Sequence, residues 1–225
     1  MLPGNKTHRH SPLGRGSSKN SQLVMISNWK VVAGLFVTWL VLCALAESSQ
    51  PSQVVEQLQH SLLSVMKQGN QLDYDHRYQL LEQIVTKSHD LPFIAKVTVG
   101  KYWKTFDDEQ KMSFVAIFTQ LSIATYADRF DGYHGETFSI IAQKTLPRGK
   151  MLVETILTKS DGEKVQFNYL LRHDKKNWRI INIIVDGVSD LAVRRAEYTS
   201  ILKSDGFSPL TAKIEDQIGR YANSH

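Results

Sequence analysis

No acidic residue occurs before Glu47, and the 225-residue chain holds a single cysteine, Cys43. Each absence excludes something. The early cations Lys6, Arg9, Arg15, Lys19 and Lys30 carry the whole formal charge of +5, since 27 basic residues less these 5 leave 22 against 22 acidic ones. The rest of the chain is balanced, so its basic character is no argument for nucleic acid or an anionic membrane. Past Ala46 there is no thiol, which removes disulfides and thiolate zinc sites and suits an oxidising compartment. Also missing are HExxH, GxSxG, a phosphate-binding glycine loop and a dinucleotide fingerprint. His60, His76, His89, His134, His173 and His225 show no paired metal-ligand spacing and read as surface or turn histidines.

The basic, acid-free start has the form of an export signal. Lys30 precedes the apolar run VVAGLFVTWLVL (31–42), and CALAES follows with small residues at Ala44 and Ala46, so cleavage is expected after Ala46. From Val31 to Ala46 is 16 residues, short for a membrane span of roughly 20; an uncleaved anchor is the alternative. Leu42 beside Cys43 is too bulky for a lipoprotein signal. Residues 1–24 form a polar extension, and Met25 is a second plausible start. Residues 47–225 are then a single domain, and 42% hydrophobic residues supply enough apolar side chains for one substantial core.

Within that domain the hydrophobic period is first helical. Val54, Val55, Leu58, Leu62, Val65 and Met66 mark an amphipathic helix ended by Gly69-Asn70, and a second runs from Asp75 to about Ser88. Asp90 caps a third, LPFIAKVTVGKYW, with Gly100 inside the pattern explained by close packing. Asp107 and Gln110 resemble a capping box opening a long helix with Phe114, Phe118, Leu121 and Tyr126 on its apolar face. After Phe130 the period becomes two. Phe138, Ile140 and Ala142 alternate in a first strand, GKMLVETILT and KVQFNYLLR flank the tight-hairpin signal Asp161-Gly162, and NWRIINIIV is a fourth strand. Ideal alternation places Ile180 and Ile184 on one face and Ile181, Ile183 and Val185 on the other. Helices from about Ser189 to Leu202 and from Pro209 to Tyr221 close the chain. The order predicts an α+β fold, a four-stranded antiparallel curved sheet packed against several helices.

Chemistry is sparse. Glu154, between apolar strand residues, and Asp186, at the end of the fourth strand, are the candidates for proton transfer by a buried carboxylate in a small cone-shaped α+β enzyme. An edge position for Glu154 and a turn for Asp186 are the simpler accounts. The aromatic residues Trp103, Phe114, Phe118, Tyr126, Tyr133, Phe138, Phe167, Tyr169 and Trp178 converge either as a solid core, as in a binding adaptor, or as the wall of an apolar cavity. The doubly apolar fourth strand favours the cavity.

The stretches DLPFIAKVTVGKYWKTFDDEQKMSFVAIFTQLSIATYADRF, YHGETFSI and VDGVSDLAVRRAEYTSILKSDGFSPLTAKI resemble the MlaC family of periplasmic phospholipid-binding proteins, also called toluene-tolerance auxiliary proteins, with its hopanoid-associated HpnM branch. The resemblance spans roughly residues 50–222. It implies an apolar cavity for the tails of a phospholipid or hopanoid-like lipid, no enzymatic step and no cofactor beyond the bound lipid. It also implies a shuttle between an outer-membrane lipoprotein/porin complex and the MCE-domain protein of an inner-membrane ABC transporter. On this basis Val99, Tyr126, Phe138, Phe167, Tyr169, Ile181 and Ile183 are expected to line the cavity, Arg129 and Tyr133 to lie near its mouth, and Gly100 and Trp103 to serve packing. Arg194 and Arg195 are surface positions, solvated or facing an acidic partner.

Overall fold

The computed structural model describes residues 50–224; the expected export signal lies outside them. Helix α1 (Pro51–Met66) opens with proline in its first turn, where no backbone donor is needed, and Gln53 returns its side chain to the Gln50 N–H at 2.8 Å. Helix α2 (Tyr74–Ser88) is capped by Asp73, which accepts from the His76 N–H. Helix α3 (Leu91–Val99) is capped by Asp90 through Phe93 N–H. The long α4 (Asp108–Arg129) has the expected reciprocal box, Asp107 accepting from Gln110 N–H at 2.7 Å and Gln110 from Asp107 N–H at 3.2 Å. Its 22 residues make the spine against which α2 and α3 pack.

Gly100 ends α3 rather than sitting inside it, and a 3-10 turn (Gly100–Lys104) follows. Its backbone lies at φ 54, ψ −122, and a Cβ there would come 3.2 Å from Arg195 Nη2. Arg195 can shift, but the backbone angle is foreign to L side chains. Gly100→Ala is therefore expected to lose about 1–3 kcal/mol of stability, measured as a lower urea midpoint.

The sheet is antiparallel in chain order: β1 (Thr137–Leu146), β2 (Lys150–Thr158), β3 (Lys164–His173), β4 (Trp178–Val185) and the two-residue β5 (Val188–Ser189). β5 is a fifth strand beyond the four read from the sequence. It exists because Asp186 and Gly187 both adopt positive φ, 47° and 82°, and turn the chain back so that Val188 pairs with Val185. This is the two-residue hairpin favoured by Asp-Gly. Asp161-Gly162, the stronger expectation, instead sits in a looser loop in which Lys159 N–H donates to Glu163 O and Gly162 takes φ 85°.

Two bulges rearrange the strand faces. Ile140 lies opposite Thr155 and Ala142 opposite Glu154, leaving Ile141 as the extra residue. Leu171 lies opposite Ile180 and Leu170 opposite Asn182, leaving Ile181 extra. Directly opposed residues share a face, so Ile180 joins Leu171, Tyr169, Ile183, Phe167 and Val185, not Ile184. Ala142 likewise leaves the face of Phe138 and Ile140. Ideal alternation fails at both places because a bulge advances the phase by one residue. Most of the apparent two-faced greasiness of β4 thus points one way, toward the helices.

Helix α5 (Asp190–Ser204), capped by Ser189, packs on α3, and α6 (Phe207–Asn223) packs on α4. Between α4, α5 and α6 lies an aromatic cluster of Phe106, Phe114, Tyr198 and Phe207. The sheet adds Val153, Tyr169, Leu171 and Ile180 to the same core. On the opposite face Leu152, Ile156, Leu170 and Ile184 are half-buried, and Glu154 takes an ion pair from Lys144 at 2.7 Å. No helix among the described residues is long and apolar enough to cross a membrane.

A candidate ligand pocket between sheet and helices

A pocket of about 340 Å³ separates the inner face of β3 and β4 from α3 and α4. Leu91 and Ile94 of α3 form one wall, and Phe118, Ser122, Thr125, Tyr126 and Arg129 of α4, with Phe130 at its C-terminal cap, a second. The sheet supplies Leu157, Phe167, Tyr169, Ile181, Asn182, Ile183 and Val185; Leu62 comes from α1, and Asp190, Leu191 and Arg194 from the start of α5. Phe118, Ser122, Thr125 and Arg129 fall at helical spacing, which explains how one helix presents them together.

The deep polar group is His89, at the junction of α2 and α3 and tied to β4 by Asp90 N–H donating to Ile180 O at 2.9 Å. Its Nδ1 lies 3.2 Å from Val85 O and 2.9 Å from Ser88 Oγ, whose own proton goes to Ile84 O. A carbonyl only accepts, so Nδ1 carries the proton and Nε2 accepts from the Tyr126 hydroxyl at 3.1 Å. Burial pushes the His89 pKa down to about 4, and burial also raises the Tyr126 phenol well above its ordinary value. His89 is therefore a neutral part of the wall.

This placement has a stability consequence. An unfolded histidine titrates near 6.5, whereas folded His89 resists protonation until about 4. Between these values the unfolded chain binds more protons, so the His89 contribution is complete above the unfolded value and is lost as pH falls through the window. Unfolding titrations should show about 2 kcal/mol lost between pH 7 and pH 5, and His89→Gln should flatten that slope.

Of the residues expected at the cavity, Tyr126, Arg129, Phe167, Tyr169, Ile181 and Ile183 meet in the lining. Val99 is fully buried in the core beside α4 instead. Phe138 stands behind the wall, edge-on to Phe167 at 6.1 Å. Tyr133 is 38% exposed with Lys67 Nζ 5.1 Å from its ring centre. Arg194, expected at the surface, is turned into the lining with only 15% of its side chain exposed, and donates through Nε to Asp190 at 2.8 Å. Trp103 packs near Phe106, in keeping with a packing role.

The carboxylates considered for proton transfer lie elsewhere. Glu154 is on the outer sheet face, and Asp186 Oδ1 accepts from Gln166 N–H at 2.8 Å to hold the hairpin. Neither lines the pocket. Among the described residues no group of three or more His, Cys, Asp or Glu side chains is placed to hold a metal ion.

An open antiparallel sheet with helices over one face and a pocket between them define an α+β protein. The chain matches the family model described as MlaC protein over residues 56–216, and it belongs to that family. It is 22% identical over 204 residues to the intermembrane phospholipid transport system binding protein MlaC of Haemophilus influenzae, covering 86% of this chain and 94% of the relative. Its fold is that of the phospholipid-binding protein from Ralstonia solanacearum, solved in complex with a phospholipid. That match has a TM-score of 0.69 at 17% identity and covers 78% of this chain and 100% of the other.

Proposed function

We propose that this chain is an exported, periplasmic lipid carrier that takes phospholipid acyl chains into the pocket between β3–β4 and α3–α4. The observation that carries this reading is the pocket itself, a 340 Å³ space walled largely by aliphatic and aromatic side chains. Such a space is costly unless filled, because unpaired apolar walls forfeit contacts. A phospholipid in water has the complementary difficulty, and each methylene withdrawn gains about 0.8 kcal/mol. Family membership and the lipid-binding descriptions of both relatives support the same reading.

Binding is non-covalent and needs no cofactor or catalytic residue. Acyl methylenes would lie against Phe118, Phe167 and Ile183 in this space. Cleavage after Ala46 would release the domain into the periplasm. Docking on the MCE-domain protein of an inner-membrane ABC transporter and on an outer-membrane lipoprotein/porin complex would then load and unload it, each partner favouring one occupancy state.

The test is direct extraction. The chain is purified from membrane-containing cells without delipidating steps, extracted with organic solvent and analysed by mass spectrometry. Near-stoichiometric phospholipid is expected; a protein that emerges empty overturns the assignment.

A further inference from the structure

The chain beyond Ala46 is neutral as a whole, but its charge is sorted along the sheet. At the end where β1 turns into β2 and β3 into β4, the antiparallel register sets Lys150 opposite Arg172 and Arg172 opposite Arg179. Directly opposed residues share a face, so these three cations form a row about 10 Å wide across adjacent strands. The row lies on the outer sheet face that also bears Leu152 and Leu170. The flanking turns add the exposed Arg148, between β1 and β2, and the exposed Lys175 and Lys176, between β3 and β4. Arg179 Nη1 donates to Thr86 O at 3.2 Å and to Lys87 O, which brings the exposed Lys87 at the end of α2 beside the row.

Three cations of this region are compensated. Arg172 pairs with Asp90, Arg179 with Asp174 at 3.3 Å, and Lys144 with Glu154 at 2.7 Å. Lys87, Arg148, Lys150, Lys175 and Lys176 make no ion pair among the described residues, so the strand end holds these five positive charges in excess. The far end of the sheet has no such excess, since Asp161, Glu163 and Asp186 lie there with Lys159 and Lys164.

Which cations are free decides the kind of partner. Arg172 and Arg179 carry the planar forks that suit a protein interface, but both are bonded within the chain. Four of the five free cations are lysines, strongly hydrated point charges that are depleted from protein interfaces. They answer better to diffuse negative charge. An anionic bilayer presents it, and each lysine brought near such a surface strengthens binding about fivefold.

We propose that this basic strand end is a docking surface for the anionic face of a membrane, separate from the ligand pocket. Phe167, in the pocket lining, lies on the opposite sheet face and five residues back along β3 from Arg172, about 17 Å away. A chain held by its basic end leaves the pocket free, whether filled or empty, so docking and loading are independent steps.

The test mixes the purified chain with sucrose-loaded vesicles of palmitoyloleoylphosphatidylcholine, alone or with about 30% palmitoyloleoylphosphatidylglycerol, and measures the fraction that sediments. The wild type should sediment with the anionic vesicles at about 20 mM NaCl, be released at about 300 mM, and stay in solution with the neutral ones. Lys175→Gln/Lys176→Gln should weaken the partition coefficient about 25-fold, and Lys150→Gln, on a different strand, about fivefold. Thermal midpoints should not change, because the β3–β4 turn is held by Asp174 accepting from the Lys176 and Asn177 N–H groups and not by the lysine side chains. Lipid taken into the pocket stays in solution with the chain, so sedimentation reads docking alone. Ile183→Trp should therefore sediment as the wild type does, and the lysine variants should keep the wild-type content of co-purified lipid. Equal sedimentation with neutral vesicles, or lysine variants that sediment like the wild type, overturns the basic docking surface and leaves the carrier reading standing. Loss of co-purified lipid in the lysine variants overturns the separation of docking from the pocket. No sedimentation with either vesicle overturns the membrane assignment and leaves the basic end to an acidic protein surface.

Discussion

Ile183→Trp is expected to leave a folded protein that retains less than about a tenth of the wild-type lipid. Ile183 lies opposite Tyr169 on the inner sheet face and borders the pocket. Exchanging the sec-butyl group for an indole adds the space of about two methylenes, and excluding those forfeits roughly 1.6 kcal/mol of binding, slightly more than tenfold in affinity. The ring grows into existing space, so the overpacking penalty of about 1–3 kcal/mol seen in filled cores should largely be avoided. Lipid per chain by mass spectrometry, with circular dichroism on the same sample, checks both halves. Full occupancy with a wild-type spectrum would remove Ile183 from the ligand wall.

Phe114→Ala should do the reverse. Phe114 is fully buried and has ring contacts with Phe106, Phe118, Tyr198 and Phe207, joining α4 to α5 and α6. It does not line the pocket. Truncation leaves a cavity among groups held by three helices, at a cost of about 3–5 kcal/mol. For a domain of this size that lowers the melting midpoint by roughly 10 °C. Below the transition, lipid content should remain that of the wild type. Loss of lipid in proportion to stability would show that the aromatic core and the pocket are one compartment.

The helices were legible because their signals are local. Asp90 and Asp107 each bond to a backbone N–H three residues on, a relation fixed by sequence spacing alone. The strand faces were less so. Whether Ile180 shares a side with Ile183 or with Ile184 depends on a bulge, and a bulge is a relation between two strands. The same limit governs the site. Tyr126, Phe167, Tyr169 and Ile183 could be chosen as large apolar residues on inward faces, but Val99 has that character too and is packed in the core. Only the spacing between layers distinguishes a wall from a filling. Arg194 is the instructive miss, because a cation in the first turns of a helix looks solvated until Asp190, four residues earlier, holds it against the pocket. The i, i+4 pair was visible in the sequence; the direction it faces was not.

The extra residue at Ile181 also bears on how this chain tolerates change. Removing a regularly paired residue of β4 away from the bulge would invert the side chains beyond it, putting polar groups against the helices. Removing Ile181 would not, since Ile180, Ile183 and Val185 already share a face on either side of it. Chain length in this strand is thus negotiable at one place, and that place borders the ligand pocket. Deletions in β4 away from the bulge should be purged as folding failures, while a deletion at the bulge offers descendants of this gene a route to resize the cavity without rebuilding the sheet.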